Sequence, residues 1–143
     1  MAQYATTIES TRTPSEAFDY LAEFSRAAEW DPNVKEGSRI TPGPVGRGTA
    51  FRIVSSFLGR AVPLDYQVTS FEPHRRVVLE ADNFAIRSVD EITFEPSSAG
   101  SSVTYHADLR LKGLLRLADP LLAVAFRRLG DRAASGLRRE LNR

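Results

Sequence analysis

The chain has 143 residues, 42% hydrophobic and 26% charged, with net charge +1. That make-up is that of an ordinary globular protein and fits one domain, 1–143, with no need of a second. There is no cysteine, which excludes disulfides and thiolate metal sites. Residues 110–143 carry nine Arg or Lys against three acids while 1–109 carry ten against fifteen, so a +6 end follows a −5 body.

The first ten residues lack the apolar stretch of a signal peptide. The longest wholly apolar run, 121–126, is far too short to span a bilayer. The expected location is therefore cytoplasmic, with no transmembrane segment. β-Branched residues in 3–11 predict a first strand. Thr13-Pro14-Ser15-Glu16 has the spacing of a capping box, with proline at the first helical position. Ala17, Phe18, Leu21 and Phe24 then recur at helical spacing. They predict a short helix and a further turn or two ending at Trp30, where Pro32 biases Asp31 away from helix.

From Val34 the period changes to two. Strands are predicted over 34–41, 48–58, 61–71, 75–81, 84–95 and 102–111, separated by short turn-rich connections that imply an antiparallel meander. Pro63 inside a strand predicts an edge or a bulge there. Asp119-Pro120 predicts a helix start with Asp119 as the cap. Behind it Leu122, Phe126, Leu129, Ala133, Leu137 and Leu141 form one stripe over 120–142, a helix of about 34 Å. A lone sheet with one apolar face needs a cover, and this helix is the only sizeable candidate.

That order resembles the helix-grip fold of the START/Bet v 1-like (SRPBCC) superfamily, and within it the polyketide cyclase/dehydrase and lipid transport family. The likeness rests on Pro14-Ser15-Glu16-Ala17-Phe18, Trp30-x-Pro32, Gly46-x-Gly48-Thr49-x-Phe51, Gly100-Ser101-Ser102-Val103, and Gly113 followed by Pro120 and the long helix. It covers essentially the whole chain. It implies an α+β fold: a curved antiparallel sheet of about seven strands, two short helices after strand 1, and the C-terminal helix packed on the concave face. A cavity for a small hydrophobic molecule would lie between sheet and helix.

Alternation on the predicted strands then nominates the cavity wall. Phe84, Ile86, Ser88, Asp90, Ile92 and Phe94 share one face. A hairpin turning at 96–101 sets Phe94 opposite Val103, Ile92 opposite Tyr105 and Asp90 opposite Ala107, so Tyr105 is a diagonal neighbour of Asp90. The candidate ligand-binding set is Trp30, Phe51, Ile53, Tyr66, Ser88, Asp90, Tyr105, Phe126 and Leu129. Trp30 reads as an apolar plug at one end of the cavity, with ligand stacking as the alternative. Glu29 and Asp31 read as solvent-side residues. Phe51, Phe57, Phe84, Phe94 and Phe126 are bulky enough together to fill the hollow.

Sharper chemistry is thin. There is no G-x-S-x-G, S-x-x-K or cysteine nucleophile. The glycines of 43–48 lie between strands, where they cannot lead into a helix as a phosphate cradle does. His74 falls in a turn and His106 on the outer face, so no metal or other cofactor is expected. Asp90 beside Tyr105 is the candidate acid/base pair, against a structural reading in which a two-residue turn at Asp82-Asn83 sets Arg75 across from Asp90. The function expected is binding or carrying a lipid, polyketide or isoprenoid-like molecule. One alternative is a metal-free cyclase or dehydratase using Asp90 and Tyr105. The other is an interaction module whose basic C-terminal helix, with Arg138 and Arg139, meets an anionic partner. Sequence-specific nucleic-acid binding is not expected, because no aromatic platform accompanies the arginines. Monomer and dimer both remain open.

Overall fold

A computed structural model describes residues 2–57 and 59–143. The strands are β1 (Ala2–Ser10), β2 (Val34–Arg39), β3 (Ala50–Phe57), β4 (Arg60–Glu72), β5 (Arg76–Asp82), β6 (Ile86–Pro96) and β7 (Ser101–Leu111). The helices are α1 (Pro14–Ala22), α2 (Ala27–Trp30) and α3 (Asp119–Leu141), with 3₁₀ turns at Phe24–Arg26 and Gly113–Ala118. The strands form one curled antiparallel sheet in the order β1-β7-β6-β5-β4-β3-β2, the helix-grip arrangement that the pattern predicts. The predicted strand 48–58 is β3, and its last position, 58, lies outside the described residues. Among the described residues, no helix is long and apolar enough to cross a membrane.

Local chemistry accounts for most boundaries. Thr13 accepts from the Glu16 amide at 3.1 Å while the Glu16 carboxylate accepts from the Thr13 amide at 3.0 Å, closing the capping box. Pro63 lies opposite Val54 on a part of β4 beyond the reach of β5, so its missing N–H breaks no ladder. The C-terminal carbonyls of α3 are satisfied from the start of the chain. The buried Ser10 hydroxyl donates to the Leu141 carbonyl at 2.6 Å, and the Arg12 guanidinium donates to the Glu140 carbonyl at 3.1 Å.

Two local expectations fail. Ala118, not Asp119, is the cap residue of α3, because the preceding 3₁₀ turn runs straight into the helix and takes Asp119 into its first turn. The β5–β6 connection is also longer than two residues. The Asn83 side chain accepts from the amides of Ala85 and Ile86, both at 2.8 Å, and this wider turn pairs Asp82 with Arg87. Phe84 is thereby carried to the turn's tip, where it is 95% exposed and off the concave face. Leu79, not Arg75, comes to face Asp90.

Candidate functional site

The concave face divides into a packed half and a hollow half. Under α1, Phe18 meets Phe71 and Phe94 edge-on at 5.2 and 5.3 Å and closes that end. Phe51 and Ile53 are buried in the same packing, with Phe51 edge-on to Phe24 at 6.3 Å. They belong to the candidate ligand set but not to the cavity wall, because the 3₁₀ turn carrying Phe24 sits over that part of β3. Beneath the first two-thirds of α3 the packing stops, leaving a cavity of about 180 Å³.

Of the other candidates, Trp30, Tyr66, Ser88, Asp90, Tyr105, Phe126 and Leu129 all line that cavity. The β6–β7 register is the one the alternation gives, with Asp90 opposite Ala107 and Ile92 opposite Tyr105. On α3 the half-buried state of Phe126, Leu129 and Ala133 has a simple cause: they face the hollow, whereas Leu137 and Leu141 nearer the end are fully packed. Two glycines let the helix sit this close. A Cβ on Gly136 would lie 1.8 Å from the Trp30 carbonyl oxygen, and one on Gly130 would lie 2.4 Å from the Tyr4 ring.

The polar groups of the wall converge. Tyr105 donates its phenol proton to the Asp90 carboxylate, and Tyr66 and Ser88 share a hydrogen bond of 2.8 Å. The Trp30 ring packs edge-on against Tyr105 with centroids 5.6 Å apart, so the tryptophan closes one end and braces the phenol. Burial pushes the Asp90 carboxyl up to about 7; the bonds from Tyr105 and Ser88 oppose the rise, and the nearby charge of Asp31 adds to it. Burial likewise raises both phenols, Tyr66 and Tyr105.

Asp31 is a correction to the solvent-side assignment. It lines the cavity, and its Oδ1 accepts from the Asn33 amide at 2.9 Å and from the Asn33 side chain at 3.0 Å. That turn bends the carboxyl inward, and burial raises its pKa. Asn33 also donates to the Leu129 carbonyl at 3.0 Å, tying this loop to α3. Glu29 is exposed but partnered, accepting from Tyr20 at 3.2 Å and from the Arg26 guanidinium at 3.0 Å. Arg75 is exposed, and the structural pairing with Asp90 falls away with the register.

Sequence reasoning missed Tyr4 and Thr6, which share the inward face of β1 and also line the cavity. The same alternation rule, applied to the first strand, finds them. His106 lies opposite Glu91 on the outer face, and His74 sits in the β4–β5 turn against Phe18. Among the described residues no group of three His, Cys, Asp or Glu is placed to hold a metal. Arg127, Arg128, Arg138 and Arg139 are exposed on α3, away from the cavity.

Known proteins share this architecture. A START superfamily protein from Mycobacterium smegmatis superposes with a TM-score of 0.81 at 12% identity, over 99% of this chain and 97% of that one. The Zhui aromatase/cyclase from Streptomyces sp. R1128 gives 0.80 at 12%, over 97% and 92%. TTHA0849 from Thermus thermophilus gives 0.78 at 14%, over 98% and 95%. At such identities the likeness speaks for the fold alone. No curated protein matches the sequence. The family model for polyketide cyclase / dehydrase and lipid transport matches residues 1–142. The chain belongs to that family.

Proposed function

We propose that the protein binds and carries a small hydrophobic molecule, of lipid, polyketide or isoprenoid size class, in the hollow between α3 and the sheet. The observation that carries this reading is that the hollow is not filled by its own phenylalanines. Phe51 and Phe94 are packed elsewhere and Phe84 points away, which leaves Phe57 and Phe126 as walls. At about 180 Å³ the cavity exceeds the roughly 150 Å³ of apolar void that admits a benzene-sized guest. Apolar walls with a few convergent polar groups are what orient such a ligand.

A second reading is favoured by one specific observation, the Asp90 carboxyl brought close to neutrality beside a tyrosine. A group so poised suits general acid/base work on an enolisable ring, as a cyclase or dehydratase requires. The aromatase/cyclase name of a structural neighbour agrees with that chemistry.

One experiment addresses both. Native mass spectrometry of freshly purified wild type and Asp90→Asn should detect an apolar molecule bound to each. The same molecule in the two, by mass and by chromatography of the released ligand, supports a carrier. A precursor on the variant alone, heavier by the water that dehydration removes or of equal mass but uncyclised on the column, supports the enzyme. Empty protein in both, with no thermal response to a broad lipid panel, would remove the first reading.

A further inference from the structure

We propose that the cavity takes an apolar ligand bearing one ammonium group, with Asp90 as its counter-ion. This rests on the reading of the cavity as a ligand site and narrows the ligand's class.

The argument is one of unbalanced charge on a buried side chain. Asp90 is only 8% exposed and sits on the cavity wall. A buried carboxylate is ordinarily matched by an arginine, lysine or histidine, because an unmatched one is expensive to remove from water. Here, among the described residues, the cavity lining contains no basic side chain. The groups that act on Asp90 are Tyr105 from β7, Ser88 from β6 and a second carboxylate, Asp31, from the loop after α2. Tyr66 from β4 is occupied with Ser88, and every residue that α3 adds to the wall, from Leu122 to Leu137, is apolar. The hydroxyls soften the field but do not neutralise it. A cationic ligand would supply the missing charge.

The rest of the wall suits the same guest. Trp30, Tyr66 and Tyr105 bring three π-faced rings to the carboxyl end, and a cation close to such rings gains further attraction. Val62, Leu64, Leu109 and Leu122 offer hydrocarbon to the remainder of the molecule. An anionic ligand would meet two acids and no base. A neutral one would fit the walls yet leave Asp90 to take up a proton.

The test compares ligands matched except in their polar group: 1-naphthylmethylamine, 1-naphthylmethanol and 1-naphthoic acid, and the corresponding n-decyl series. Each is titrated calorimetrically at about pH 8, above the range in which Asp90 holds its proton. The amine of at least one skeleton should bind at least about tenfold more tightly than its alcohol, with the acid weakest. Asp90→Asn should erase the amine's advantage while the alcohol still binds, and Asp31→Asn should reduce it. If the alcohol matches the amine, or if the advantage survives in folded Asp90→Asn, the ammonium assignment falls and the hydrophobic-ligand reading stands. If no member of either series binds, both fall.

Discussion

Asp90 takes its chemical character from what surrounds it. The alternation of β6 puts it inward, the β7 register brings Tyr105 within bonding reach, and the surrounding wall leaves it only slightly exposed. Its carboxyl titrates near 7, against an ordinary value of 3.8, so the folded chain keeps this proton to a higher pH than the unfolded chain does. Its contribution to stability is then fully present below about pH 4, is lost as pH rises through about 7, and levels off above it. Asp90→Asn removes that decline. Urea denaturation at about pH 5 and pH 8 should show wild type losing up to a few kcal/mol relative to the variant. Parallel stabilities for the two proteins across that interval would mean the carboxyl is better solvated than the structure places it.

At the scale of elements, α3 decides whether a cavity exists. Its stripe is apolar along its length, but Phe126, Leu129 and Ala133 are only half-buried over the hollow, while the last turns are packed and pinned by Ser10, Arg12 and Gly136. Gly136→Ala sets two effects against each other. Helix propensity favours alanine by about 1 kcal/mol. The added Cβ, however, would sit 1.8 Å from the Trp30 carbonyl oxygen, and backbone cannot yield as a flexible side chain does. Overpacking of this kind costs about 1–3 kcal/mol, and so severe an approach belongs at or beyond the top of that range. The variant should therefore be destabilised by about 2 kcal/mol or more in urea melts, with weaker ligand binding as α3 shifts from α2. A variant as stable as wild type would show that the helix does not depend on this contact.

Over the whole molecule, the concave face is solid at one end and open at the other, so stability and ligand capacity can be traded. Ala107 faces Asp90 and borders the hollow. Ala107→Leu would fill part of the void with methylene groups worth about 0.8 kcal/mol each when buried, less any strain. We expect thermal stability to hold or rise while affinity for the tightest binder of the naphthyl and decyl series falls at least about tenfold in calorimetric titrations. Undiminished affinity would place the ligand elsewhere. Much of this organisation was legible beforehand because it is local or periodic. The Thr13–Glu16 box, the period-two strands, the stripe of α3 and the inward row of Ser88, Asp90 and Tyr105 all follow from spacing along the chain. What failed depended on side-chain contacts that periodicity does not carry. Two are short-range: Asn83 widened a turn and so moved Arg75 away from Asp90, and Asn33 bent Asp31 into the cavity. One is long-range: the turn bearing Phe24 packed onto Phe51 of β3. Sequence by itself thus determined which faces are apolar and in what order the elements come, since backbone geometry fixes side-chain direction residue by residue. Only the tertiary structure decided that the apolar faces stop short of meeting, because a void is a property of how far apart packed elements are held and no single residue carries it.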